Sequence, residues 1–81
     1  MEFKETVALM ESEDFKDRFK AEYYQTRIRY EKLHKMIIKY YAGTLNFELK
    51  YGIELLKDQA KAMGDYLYVL EVRAEIEGIK L

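Results

Sequence analysis

Apolar side chains recur at alternating steps of four and three residues in the second half of the chain. The members of this stripe are Leu49, Ile53, Leu56, Ala60, Met63, Leu67, Leu70 and Ala74. Because an α-helix turns once in about 3.6 residues, this spacing keeps the stripe on one face, whereas a strand would divide it between two faces. The pattern predicts one long helix, from about residue 45 to residue 77, that needs a partner of similar length.

A second stripe in the first half of the chain supplies that partner. Its members are Phe15, Phe19, Tyr23, Thr26, Tyr30, Leu33, Ile37 and Tyr40. The pattern predicts a helix over about residues 12–42, with Ser12 as the N-cap and Gly43 as the C-terminal stop. Thr44 or Asn46 is expected to cap the second helix. Since so short a connection makes neighbouring helices antiparallel, the sequence predicts an all-α fold built on a two-helix hairpin.

Before the first long helix, residues 6–10 are expected to form a short helical turn with Val7 and Met10 as its docking groups. The 81 residues include no proline and only four glycines, which favours uninterrupted helices in a single domain over residues 1–81. With no cysteine, neither a disulfide nor a thiolate metal site is expected. No signal peptide and no apolar run near the roughly 20 residues of a membrane span is recognised, so we expect an intracellular protein without a membrane partner.

Some apolar residues lie outside the two stripes. They are Tyr24, Ile28 and Ile38 in the first helix and Tyr66, Val69 and Val72 in the second. Leaving apolar surface in water forgoes roughly 25 cal/mol per Å², and a two-helix unit is marginal alone, so a homo-oligomer is expected. Gly52 and Gly64 either permit close helix contacts or are merely tolerated, and both interpretations remain open.

Catalytic chemistry has little support in this sequence. His34 is the only histidine and Ser12 the only serine, and Ser12 already has a predicted capping role. The pair Glu71 and Glu75 is typical of solvent-facing charge on a helix. We therefore expect no enzyme activity, no cofactor and no metal site.

The first helix combines basic and aromatic side chains. Residues 15–41 hold eight basic residues against three acidic ones. Lysine and arginine bind phosphate and tyrosine stacks on a base, so this face is a candidate binding site. The candidate ligand-binding residues are Lys16, Lys20, Tyr23, Tyr24 and Arg27, with Lys50 or Arg73 added from the second helix of a neighbouring subunit. The alternative is that the tyrosines are core residues or line an oligomer interface, and that the lysines are a solvated flank.

Residues 55–73 carry the frame Leu-Leu-Lys-x-Gln-x-x-Ala-Met-x-x-Tyr-Leu-x-x-Leu-x-x-Arg. Together with Glu22-Tyr23, Arg27-Ile28, Lys32-Leu33 and Met36-Ile37, this frame resembles the hairpin domain of phage sponge proteins that counter CBASS and Thoeris immunity. Related proteins occur in crAss-like phages, and the resemblance covers roughly residues 15–75. Charge and aromatic placement, not the resemblance, select the site residues named above.

The resemblance implies a homo-oligomer, commonly a hexamer, that captures cyclic di- or trinucleotide signals in the host cytoplasm without cleaving them. The main alternative is a structural helical assembly or adaptor protein of a phage with no small-molecule ligand. Binding of nucleic acid by the basic helix is a weaker third reading.

Overall fold

The computed structural model describes all 81 residues as three α-helices with no strand. Helix α1 spans Phe3–Met10, α2 spans Phe15–Ala42 and α3 spans Ile53–Glu77. The prediction of an all-helical protein is confirmed. At a rise of about 1.5 Å per residue, α2 alone accounts for the 43 Å long dimension of the molecule. No stretch of these helices combines the length and the hydropathy that crossing a bilayer requires.

Helix α2 begins three residues later than the sequence predicted, and Asp14 is its N-cap. The Asp14 carboxylate accepts a hydrogen bond from the Lys16 backbone N–H at 2.9 Å. The prediction of Ser12 as the cap is wrong. The Ser12 hydroxyl instead accepts from the Asp14 backbone N–H at 3.1 Å and donates to Asp17 at 2.9 Å. Ser12 therefore holds the turn before the helix, because Asp14 already satisfies an amide of the first turn.

The connection between α2 and α3 is longer than predicted, and it runs from residue 43 to residue 52. Gly43 ends α2 with a φ of 76°, which confirms its predicted role as a stop. Thr44 closes α2 through its backbone N–H, which donates to the Lys39 carbonyl at 2.9 Å. Helix α3 starts only at Ile53 with Gly52 at the N-cap, so the predicted start near residue 45 and the predicted Thr44 or Asn46 cap are wrong. Leu49 fits the helical spacing but lies in this connection, half-buried.

Helix α3 ends at Glu77, where the sequence placed its end. Gly78 follows with a φ of 70°, and the Ile79 backbone N–H donates to the Ala74 carbonyl at 2.8 Å. This bond pattern is a Schellman motif, in which the residue after the glycine packs back on the helix. Ile79 is accordingly buried against Ala74, and it joins the core from outside the helix.

The core lies between α2 and α3. Its buried members are Phe19, Tyr23, Leu67, Leu70, Ala74 and Ile79, with Tyr24 and Tyr30 packed against them. The two predicted stripes therefore meet, although Phe15 and Tyr40 near the ends of the first stripe stay exposed. The start of α2 contacts the last turns of α3, where the Arg73 guanidinium lies over the Phe19 ring. The end of α2 contacts the first turns of α3, where Lys57 lies over the Tyr41 ring.

Helix α1 packs on α2 and makes no contact with α3, so α2 lies between the two. Thr6 is 0% exposed, and its hydroxyl accepts a hydrogen bond from the Gln25 amide at 3.0 Å. The predicted docking groups Val7 and Met10 stay 38% and 49% exposed, and the Met10 sulfur accepts a weak hydrogen bond from the Gln25 amide. A buried polar pair holds α1 where the sequence suggested apolar groups.

Candidate functional site

Tyr23 is one of the predicted site residues, and the helix packing fixes its position. Its side chain is only 4% exposed, and its hydroxyl donates to a Glu71 carboxylate oxygen at 2.8 Å. The Tyr24 ring meets the Tyr23 ring edge-on at a centroid distance of 5.2 Å. Burial, followed by the hydrogen bond to Glu71, raises the pKa of Tyr23 above its ordinary value. At neutral pH this phenol is therefore a neutral donor already engaged within the chain.

Arg27 lies one helical turn after Tyr23 and provides the charge of the site. Its Nε donates to a Glu31 carboxylate oxygen at 3.0 Å, an exposed ion pair at i,i+4 spacing. This hydrogen bond is the main reason that the pKa of Arg27 is raised. The bond uses Nε and does not engage the two Nη groups, which remain suited to a phosphate. Because the ion pair is exposed on both sides, a multiply charged ligand has little to displace.

Two adjacent clefts share Tyr23, Arg27 and Glu71. The first, of about 320 Å³, lies between α2 and α3. The second, of about 560 Å³, is closed on one side by the tail that follows α3. The other residues of the first cleft are Tyr30, Glu31, Gly64 and Leu67, and those of the second are Ala74, Glu75, Ile79, Lys80 and Leu81. The sequence analysis did not predict that the tail lines a cleft. The signal was available, because a glycine followed by an apolar residue, as at Gly78, is typical of a chain that packs back on its helix.

Gly64 marks a close approach of the two helices inside the first cleft. A Cβ atom built on Gly64 would meet the Tyr30 ring at 3.4 Å, whereas one built on Gly52 would meet nothing within 4 Å. Of the two glycines that could permit a close helix contact, only Gly64 does so. Gly64 faces a neighbouring helix, and Gly52 precedes α3 as its N-cap.

The predicted site residues do not all lie together within one chain. Lys16 and Lys20 lie on the early turns of α2 and line neither cleft, although Lys20 is half-buried. Arg73 has its guanidinium carbon 5.1 Å from the centre of the Phe19 ring. Lys50 is in the connection rather than in α3, beside a third cleft of about 640 Å³. Within one chain, Tyr23, Tyr24 and Arg27 therefore lie close together, whereas Lys50 lies beyond the C-terminal end of α2.

Carboxylates balance the charge of the shared clefts. Glu31 and Glu71 line the first cleft beside Arg27, and Glu75 and Lys80 both line the second. An anion bound there would contact Arg27 rather than the Tyr23 hydroxyl, because that hydroxyl already donates to Glu71. Further cations close to Arg27 would strengthen such binding.

These features define a small all-helical protein with open clefts along its two long helices and an arginine beside a pair of edge-on tyrosines. A family model described as Sequestin matches residues 13–76, which include all of α2 and nearly all of α3. The chain therefore belongs to the Sequestin family. Neither a curated protein nor a solved structure matches this chain.

Proposed function

We propose that this protein is a phage immune-evasion sponge that sequesters a cyclic di- or trinucleotide second messenger in the host cytoplasm. The observation that carries the proposal is membership of the Sequestin family, whose name indicates sequestration. The matched residues contain both helices that form the Tyr23–Arg27 clefts. Capture without cleavage is part of the proposal.

The chemistry of the Tyr23–Arg27 clefts supports this function. A cyclic oligonucleotide combines two or three phosphate charges with flat bases. Arg27 offers a guanidinium fork for phosphate, and the half-buried Tyr24, packed edge-on against the buried Tyr23, leaves aromatic surface on the same helix. Lys20, about two turns before Arg27 on α2, would add a second charge at the edge of the site.

We further propose that the antiparallel pair of α2 and α3 assembles as a homo-oligomer, with a hexamer as the expected form. Tyr66, Val69, Val72 and Ile76 leave apolar surface exposed on α3, and Ile76 is 79% exposed. Burying this surface between copies would stabilise the assembly. A neighbouring subunit would then bring Lys50 or Arg73 to the Tyr23–Arg27 clefts and offset the charge of Glu31 and Glu71.

Thermal unfolding with cyclic dinucleotides and cyclic trinucleotides tests the proposal. A ligand at a hundred times its dissociation constant adds about 2.7 kcal/mol of stability when it binds only the folded protein. Calorimetry on Arg27→Ala and Lys20→Ala should show binding weaker by about ten- to a hundredfold, because each variant loses a charged hydrogen bond to phosphate. Lys61→Ala is the matched control, since Lys61 is exposed on α3 and pairs only with Asp65.

Chromatography of the nucleotide released by denaturation tests the second half of the proposal. An intact cyclic nucleotide is expected. Linear product would overturn capture without cleavage, and unchanged affinity in both Arg27→Ala and Lys20→Ala would overturn the site.

The exposed apolar face of α3 also favours a second candidate function, a structural helical assembly or adaptor of a phage. An adaptor would assemble but would show no stabilisation by any cyclic nucleotide. Binding of nucleic acid by α2 is disfavoured, and it would show itself as oligonucleotide binding that falls steeply with salt.

A further inference from the structure

A separate cationic pocket lies at the C-terminal end of α2. It encloses about 340 Å³ between the last turns of α2 and the first half of the connection. Its lining residues are Lys32, Lys35, Met36, Lys39, Thr44, Leu45, Asn46 and Phe47. None of them lines the Tyr23–Arg27 clefts.

None of the three lysines forms an ion pair within the chain. The ion pairs of the protein are Arg27–Glu31, Lys57–Glu54 and Lys61–Asp65, and none involves these lysines. No carboxylate lines the pocket, in contrast to the Glu31 and Glu71 of the first cleft.

The three lysines lie on the same side of α2, and their mutual repulsion destabilises the helix. Steps of three and four residues put all three on one side of α2, and like charges at i,i+4 destabilise a helix. Lys39 lies in the last turn, where the helix dipole favours a cation. Lys32 and Lys35 lie one to two turns earlier, beyond that effect. A bound anion would relieve the repulsion among the three.

The connection supplies the other wall of the pocket with different chemistry. Thr44 and Asn46 bring a hydroxyl and an amide, and Phe47 brings an aromatic ring that is 54% exposed. An exposed phenylalanine is a stacking surface for a nucleobase. Three lysines spread over about 10 Å of helix, on flexible side chains, can contact more than one phosphate group at once.

We propose that the pocket formed by Lys32, Lys35, Lys39 and Phe47 binds a nucleoside diphosphate, with the phosphates on the lysines and the base on Phe47. This site does not depend on the Tyr23–Arg27 clefts or on the captured cyclic nucleotide. Nucleoside diphosphate binding in this pocket can therefore be tested independently of the sponge function.

Nuclear magnetic resonance on uniformly ¹⁵N-labelled protein, titrated with ADP, pyrophosphate and adenosine in turn, tests the site. ADP should bind more tightly than either fragment and should shift the backbone amides of residues 32–47. Lys35→Ala should weaken ADP binding by about ten- to a hundredfold, whereas Lys61→Ala should leave it unchanged. Phe47→Leu keeps the apolar wall, so it should preserve pyrophosphate binding and reduce ADP affinity by about five- to a hundredfold.

Three results would overturn the proposal. The first is an absence of shifts in residues 32–47 at millimolar ADP. The second is equal ADP affinity in Lys35→Ala and Lys61→Ala, and the third is tighter binding of a single-stranded oligonucleotide than of ADP by the same lysines. Arg27→Ala separates the two sites: retained ADP binding with lost cyclic-nucleotide binding supports both assignments, while loss of ADP binding in Arg27→Ala contradicts the independent pocket.

Discussion

Replacing Tyr23 by phenylalanine removes one hydroxyl and leaves the apolar ring of the core in place. In the structure this hydroxyl donates to Glu71 at 2.8 Å, and it is the polar link between α2 and α3 at the centre of the core. A hydrogen bond of this kind contributes about 0.5–1.5 kcal/mol net. Glu71 is exposed and regains water when the hydroxyl is lost. We therefore expect Tyr23→Phe to lower the free energy of unfolding by about 1 kcal/mol at pH 7.

The pH dependence of this difference follows from the raised pKa of Tyr23. Burial, and then Glu71, raise this pKa above the value of about 10 that a tyrosine has in the unfolded chain. A group with a raised folded pKa contributes its stability in full below its unfolded pKa and loses it as the pH rises through the folded pKa. Between the two values the wild type should lose up to about 1.4 kcal/mol per pH unit more than Tyr23→Phe.

Urea unfolding followed by circular dichroism at several pH values from 7 to 11 measures both effects. The advantage of the wild type should shrink above pH 10. Tyr66 also has a raised pKa, from burial and its hydrogen bond to Glu22, so the comparison is repeated in a Tyr66→Phe background. Tyr68→Phe is the control, because Tyr68 is 67% exposed. If the free energy of unfolding showed the same pH dependence above pH 10 in the wild type and in Tyr23→Phe, the Tyr23 hydroxyl would not be buried against Glu71 as the structure has it.

Two further variants test the packing of α2 against α3. Leu70 is 1% exposed, so Leu70→Ala should cost about 2–5 kcal/mol in urea unfolding, whereas Leu55→Ala at an exposed position should cost less than about 0.5. Equal losses would place Leu70 outside the core. Gly64→Ala should stabilise the protein by about 0.4–1 kcal/mol, because the new methyl meets Tyr30 at an ordinary contact distance and the helix gains propensity. A lower melting temperature for Gly64→Ala would mean that the new methyl group clashes with the Tyr30 ring.

The sequence pattern predicted the helical parts of the fold because their determinants are local. The four–three spacing identified α2 and α3 and their shared core, and the two glycines with positive φ marked both C-termini. The start of α3 was wrong for a physical reason. Leu49 continues the spacing of the stripe, yet the chain there is not helical and Gly52 supplies the N-cap. Periodicity alone does not show where a helix begins.

The site was less predictable, since its geometry depends on pairs of residues far apart in the chain. Tyr23 and Arg27 were chosen as candidates from charge and aromatic character, but the Tyr23–Glu71 hydrogen bond joins residues 48 positions apart. Likewise, the Gln25–Thr6 pair that docks α1 is a tertiary contact with no periodic signal. The predicted partners Lys50 and Arg73 concern a neighbouring subunit, and their place in the site stays a prediction.

The distribution of buried side chains bears on whether one chain is the functional unit. Only 12 of the 81 residues are buried, and the core between α2 and α3 is one helix pair wide. A chain of this size gains little from so narrow a core after the entropy of ordering two long helices is subtracted. The apolar residues left on α3, from Tyr66 to Ile76, are therefore the surface most available to add stability. If copies associate through this face, the stability of the fold and completion of the Tyr23–Arg27 clefts depend on the same event. Dilution should then weaken ligand capture and unfold the protein together.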